Sequence, residues 1–172
     1  MTRPPEPEFR FYGRRKGKTL RSARLDAIET VLPNIAVPLD GDHAVTQNRL
    51  FDSDCKKIWL EIGFGNGEQL AHLAQNNPDI GMIGCEPFEN GIAALCLDIK
   101  NKNIKNIRIW PDDARLLMKR LPPQSIDRCF VLNSDPWPKT RHHKRRFIQK
   151  DTLDELARIL KPGAELRMST DH

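Results

Sequence analysis

Apolar positions along the chain fall into two rhythms. From Lys57 onward, short apolar runs of strand length alternate with segments whose apolar positions recur at three- and four-residue steps. The runs KIWLEI (57–62), IGMIGC (80–85), IRIW (107–110), IDRCFVLN (126–133) and AELRMS (164–169) are predicted strands. Leu70, Leu73 and Ala74 mark a first intervening helix; Ile92, Leu95, Cys96 and Ile99 mark a second. Ala114, Leu117 and Met118 mark a third, and Leu153, Leu156, Ala157 and Leu160 a fourth, with Lys161-Pro162-Gly163 as its stop. Strands separated by helical stretches imply βαβ units with right-handed crossovers. The expected fold class is therefore α/β, with a largely parallel sheet and helices on both faces.

Upstream of Lys57 the pattern is different. Residues 1–19 combine Pro, Gly and cations with little apolar periodicity and read as a basic mobile arm. Residues 20–32 have helical spacing at Leu25, Ile28 and Leu32. Residues 33–54 read as a polar connection with at most a short ordered piece. The expected division is an arm (1–19), a helix with its connection (20–54) and one α/β domain (55–172).

Charge changes the picture. The net charge of +5 is modest, but residues 1–24 hold eight Arg/Lys against Glu6 and Glu8, and residues 139–150 hold six Arg/Lys and no acid. The rest of the chain is net acidic. Two concentrated basic segments on an acidic body point to a polyanionic partner. Cys55, Cys85, Cys96 and Cys129 lack paired spacing and read as reduced thiols. No stretch is apolar enough to span a bilayer and no signal-like segment is evident, so a cytoplasmic protein is expected.

The candidate chemistry lies where the predicted strands end, the edge at which open α/β sheets bind ligands. There the first strand runs into E61-I-G-F-G-N-G67, in which Gly63 and Gly65 permit a tight turn and close approach of a ligand. Glu86 ends the second strand, where an acid can accept both hydroxyls of a ribose; Asp113 follows the third, placed for an exocyclic amine of adenine. A pyrophosphate would be repelled by Glu61 and Glu68 around the turn. Those acids instead balance the ammonium and sulfonium charges of S-adenosyl-L-methionine, so the methyl donor is favoured over NAD. The order GFGNG, Glu86, DDA and LKPGA is similar to that of the class I methyltransferases.

The fourth strand ends in N133-S-D-P-W-P-K-T-R-H-H-K-R-R146. Asp135 is thereby placed beside the donor methyl, with Lys139, Arg141 and Arg145 available for phosphates. A carboxylate suits guanine, whose Watson–Crick edge presents two donors, N1–H and N2–H₂, where adenine presents one. Trp137 is a candidate base-stacking ring or a packing residue. His142 and His143 have no ligand partners at metal-binding spacing, and no metal is expected.

DPWPKTRHHKRR, LEIGFGNGE, the terminal STDH and the N-terminal YGRRKGK together resemble the bacterial tRNA (guanine-N7-)-methyltransferase family from about Phe11 onward. The resemblance implies a Rossmann-like fold and transfer of a methyl group from S-adenosyl-L-methionine to N7 of a guanine in the tRNA variable loop. It assigns Glu61, Glu86, Asp113 and Asp135 to the donor site, Asp135 to catalysis, and Lys139 and Asp171 to tRNA. Two departures stand out. Asn133-Ser134 replaces the usual Phe-Pro, which alters the shape expected of the strand end. The family's further helix, two closing strands and Thr-x-x-Glu motif have no counterpart in these 172 residues, so a C-terminally incomplete domain is expected. Two other readings remain: an amino-group methyltransferase on another nucleic acid or protein, against which Pro138 and RHHKRR argue, and a catalytically silent tRNA-binding remnant.

Overall fold

The computed structural model describes residues 11–38, 44–51 and 55–172. The first ten residues of the basic arm, and residues 39–43 and 52–54 of the polar connection, lie outside the described residues. Five strands form one sheet: β1 (Lys57–Ile62), β2 (Ile80–Cys85), β3 (Ile107–Trp110), β4 (Ile126–Leu132) and β5 (Leu160–Ser169). Their order is β3-β2-β1-β4-β5 and every neighbouring pair is parallel. The helices are α1 (Ser22–Ile35), α2 (Gln47–Leu50), α3 (Glu68–Asn76), α4 (Glu89–Lys102), α5 (Ala114–Met118) and α6 (Lys150–Ile159), with a 3-10 turn at Thr140–Arg145.

Parallel strands need crossovers, and crossover helices cover both faces. On one face, Ala27 of α1, Leu70, Ala71 and Ala74 of α3, and Ile92, Leu95, Cys96 and Ile99 of α4 pack with Met82, Ile107 and Ile109. On the other, Leu117 and Met118 of α5 and Leu156 and Ile159 of α6 pack with Ile58, Leu60, Ile62 and Val131. β2 is buried along its whole length, as a strand covered on both faces must be. Among the described residues, no helix is long and apolar enough to cross a membrane.

The elements follow the hydrophobic pattern closely, with local exceptions. Leu25 is exposed and Ala27 takes the buried position of α1, because close packing of α1 on α4 admits only a small side chain there. Leu153 of α6 is likewise exposed, while Thr152 is buried, exchanging hydrogen bonds with the Gln149 cap. Lys161-Pro162-Gly163 lies inside β5 rather than before it. Between the pairs Ile126–Leu160 and Arg128–Glu165, one residue of β4 stands against four of β5 (Lys161 to Ala164), an irregularity with Gly163 at φ +79° and Lys161 paired to Asp127 at 2.8 Å.

Asn106 ties the sheet to α3. Its amide donates to the carbonyls of Ala74, Asn77 and Ile80 at 3.1, 3.0 and 2.8 Å, joining the end of α3 and the start of β2 to the loop before β3. Asn106→Ala strips these carbonyls of a part-buried donor. It should lower the unfolding free energy by about 2 kcal/mol, read by chemical denaturation.

Candidate donor and acceptor site

All five strands point the same way, so their carboxyl ends gather at one edge. β1 leads to α3 and β2 on one side, while β4 lies on its other side, which opens a crevice at the switch. A cleft of about 320 Å³ occupies this place, lined by Gly63, Glu86, Asp113, Asp135, Trp137 and Arg145 among others.

The floor is the turn after β1. Gly63, Gly65 and Gly67 adopt φ values of +74°, +57° and +78°, a left-handed run that side chains oppose. A Cβ at Gly63 or Gly65 would meet nothing within 4 Å, so the backbone faces open space. Glu86 secures the turn: one carboxylate oxygen accepts the Gly65 N–H and the other the Phe88 N–H, both at 2.9 Å. Burial pushes the Glu86 pKa up, these N–H donors oppose the rise, and the negative charge of Asp135 adds to it. Gly91, in the first turn of α4, comes so close that a Cβ there would lie 2.1 Å from the Gly65 carbonyl oxygen. The sequence pattern gave Gly91 no role, since nothing local requires glycine at that point of a helix.

Glu61 sits differently from the other acids. It is 4% exposed and is not among the residues lining the cleft. It lies on the opposite face of β1 from Ile62, beside Gly84 and Phe130 in register. Its Oε2 has no hydrogen-bond partner among the described residues. Burial raises its pKa to about 7, and its charge adds to the burial that holds the Cys129 thiol at about 12.

Asp113 lines the cleft but is engaged. It caps α5 by accepting the Arg115 N–H at 3.0 Å and pairs with the Arg115 guanidinium. Asp112 accepts the Asp113 N–H and pairs with Arg15 at 2.6 Å. This last contact belongs to a strap the sequence reading missed. Phe11, Tyr12, Gly13 and Arg14 line the cleft, and the following residues are fastened to α4. The Glu89 N–H donates to the Arg15 carbonyl, and the Asn90 side chain exchanges hydrogen bonds with Gly17 N–H and the Lys18 carbonyl. The described part of the arm expected to be mobile, from Phe11 to Lys18, is thus docked across the site. Its polar side chains find partners on α4 and beyond β3 that are distant in sequence.

Asp135 is exposed and, among the described residues, has neither an ion-pair nor a hydrogen-bond partner. It borders the first cleft and an adjoining one lined by Ser134, Arg146, Ile148, Met168, Ser169 and Thr170. Asn133, which replaces the family's Phe-Pro start, takes φ +49°, a conformation asparagine tolerates, and its backbone N–H donates to the Ser169 carbonyl. Arg145 lies 5.0 Å from the ring centroids of both Tyr12 and Trp137, bridging the strap and the loop after β4. Trp137 also packs edge-on with His142. The His142 pKa is lowered by lost hydration and then by the charges of Arg145, Arg141 and Lys139. Lys139 and Arg141 are exposed and line neither cleft, and Asp171, also exposed, lies beyond β5 outside both linings.

A parallel sheet of this order, with a glycine turn and acids at successive strand ends, defines a Rossmann-like class I methyltransferase. Solved structures agree in fold. A 16S rRNA (adenine(1408)-N(1))-methyltransferase from Catenulisporales acidiphilia matches with a TM-score of 0.52 at 20% identity, over 69% of this chain and 58% of that one. An aminoglycoside resistance methyltransferase matches with a TM-score of 0.52 at 21% identity, over 69% and 57%. A family model described as "Putative methyltransferase" covers residues 55–172. The chain is 51% identical over 164 residues to the tRNA (guanine-N(7)-)-methyltransferase of Paramagnetospirillum magneticum, covering 94% of this chain and 69% of that protein. It is 44% identical over 169 residues to the protein of that name from a Ruegeria species, covering 96% and 66%. The chain belongs to the tRNA (guanine-N(7)-)-methyltransferase family, and it spans about two-thirds of the length of these two relatives.

Two predictions follow from this geometry. Gly91→Ala forces backbone apart at Gly65 and should destabilise the fold by about 1–3 kcal/mol, measured as a lowered denaturant midpoint. The second concerns Glu61, whose folded pKa of about 7 lies above its ordinary 4.5. The folded state keeps a proton that the unfolded chain loses, so stability present below 4.5 is lost as pH rises toward 7. Relative to Glu61→Gln, the native chain should lose on the order of 3 kcal/mol across that interval, followed by thermal unfolding at stepped pH.

Proposed function

We propose that this chain transfers a methyl group from S-adenosyl-L-methionine to N7 of a guanine in tRNA. The observation that carries the reading is Asp135. It is a carboxylate without a described partner at the end of β4, bordering two adjoining clefts and followed directly by a cationic turn.

The residues present fit the donor. Gly63 and Gly65 face open space that side chains would fill, and Glu86 and Asp135 bring carboxylates suited to a cation into a cleft whose lining also holds Arg14, Arg115, Arg145 and Arg146. Glu86 and the turn would hold the ribose and methionine portions, and Asp113 with its neighbours the adenine. Glu61 is buried at the penultimate position of β1, just before the turn, with one oxygen unpartnered among the described residues. When bound, the donor supplies an electrophilic methyl group on a sulfonium centre.

On the acceptor side, Asp135 accepts from N1–H and N2–H₂ of guanine, which fixes the base by its Watson–Crick edge and enriches the ring in electron density. N7 carries its lone pair at neutral pH, so the protein need not remove a proton before attack. The rate then depends on alignment, which the loop after β4 supplies. Lys139 and Arg141 at the exposed turn are placed for phosphates, and Asp171 for the RNA beyond β5. The names of the relatives support the same reaction.

The test is transfer of labelled methyl to unmodified tRNA, with nucleoside analysis of the product. Appearance of 7-methylguanosine is expected, and Asp135→Ala should lower turnover by more than about tenfold, equivalent to ~1.4 kcal/mol of barrier. Undiminished turnover in that variant would remove Asp135 from its role. Methylated adenine would instead support an amino-group methyltransferase.

A further inference from the structure

Asp135 sits in a segment with little means of holding itself in place. Pro136 and Pro138 have no N–H to donate, and the segment lies beyond the last β4 pairing. It is nevertheless held in an unfavourable shape. Asn133 at φ +49° and Trp137 at φ +40° bracket Asp135, and a left-handed tryptophan persists only where its surroundings enforce it.

Arg146 supplies the constraint. Its Nε donates to the Pro136 carbonyl at 2.8 Å and its Nη2 to the Trp137 carbonyl at 3.3 Å, so one guanidinium spans the two carbonyls that follow Asp135. Arg146 is itself fixed. Its backbone N–H donates to His143 O at 3.0 Å, closing the 3-10 turn, and its own carbonyl accepts from the Gln149 side chain at the start of α6. The side chain is half-buried and lies, with Asp135, in the wall between the two clefts. An arginine serving only to attract phosphate would have no reason to spend its fork on main-chain carbonyls.

We infer that Arg146 is a positioning residue for Asp135: it locks the Pro136-Trp137 backbone and so aims the carboxylate at the acceptor base, an inference that rests on the reaction proposed above. A planar fork is required, because lysine keeps the charge but offers a point donor that cannot reproduce the two-carbonyl geometry. Arg145 plays a separate part, stacked between rings and bonded to neither carbonyl among the described hydrogen bonds.

The experiment uses the full chain with Arg146→Lys, Arg146→Ala and each combined with Asp135→Ala. Both single variants should lose at least tenfold in kcat while KM for tRNA and for S-adenosyl-L-methionine stays within about twofold. In the Asp135→Ala background, loss of Arg146 should cost no more than about a further twofold, since the two act as one unit. A readout independent of activity comes from 5-fluorotryptophan incorporation. The Trp137 ¹⁹F resonance, assigned by its loss in Trp137→Phe, should shift or broaden in both variants, while those of Trp59 and Trp110 stay in place and report an intact fold. Should Arg146→Ala unfold, Arg146→Lys carries the test. The inference is overturned by a native kcat in Arg146→Lys, by an unmoved Trp137 resonance, or by effects confined to tRNA KM with a salt slope reduced by about one, the mark of a phosphate contact. If the native chain forms no 7-methylguanosine, the proposed reaction fails, and the Trp137 resonance alone decides whether Arg146 holds the loop.

Discussion

Gly65 is held from two sides, and the site is built on that grip. Its N–H donates to the Glu86 carboxylate at the end of β2, and its carbonyl lies where any side chain at Gly91 would have to stand. The turn after β1 is therefore pinned to the end of the neighbouring strand and to the first turn of α4 at once. Its left-handed glycines cost conformational entropy that an isolated peptide would not recover. Here the parallel register of β1 and β2, Ile62 beside Cys85, brings donor and acceptor together without further adjustment. The open backbone surface of Gly63 and Gly65 exists because the turn cannot relax away from it.

Charge is distributed around this grip with a consistent logic. Acids occupy the strand ends, and each of the most buried ones is compensated or set back. Glu86 accepts two backbone N–H groups, Asp113 caps α5 and pairs with Arg115, and Glu61 is set back outside the cleft lining, where burial favours its neutral form. Asp135 alone among these acids is exposed and without a described partner, which leaves its full hydrogen-bonding capacity for a ligand. Cations close the site from two directions: the strap through Arg15 on Asp112, and the turn after β4 through Arg145, whose guanidinium lies beside Tyr12 and Trp137. Basic segments more than a hundred residues apart in sequence thus meet over one cleft, with the acidic body beneath them. That arrangement suits the polyanionic substrate proposed above.

Much of this could be read from the residues in order. The alternation of short apolar runs and helical spacing placed all five strands and every crossover helix, because burial on a parallel sheet imposes those rhythms directly. The glycine turn, Glu86, Asp113 and Asp135 could be read from their positions at strand ends, since a parallel sheet carries each such residue to one edge whatever the details of packing. Exposed Leu25 and Leu153 were less legible. Periodicity identifies an apolar face but not its exact bearing, and a small residue such as Ala27 takes the centre when two helices pack closely.

The sequence by itself determined the class of fold, the edge at which the candidate site forms and the chemical types gathered there, because those depend on local periodicity and on the direction of parallel strands. Only the tertiary structure decided how these groups are spent. Glu61 is buried outside the cleft lining, Asp113 is paired with Arg115, and the described part of the arm is fastened to Asn90 and Asp112. Arg146 stood in a basic run like any other cation until the fold set its guanidinium against two carbonyls ten and nine residues earlier. Such partnerships are fixed by side-chain direction and long-range packing, which composition and spacing do not encode.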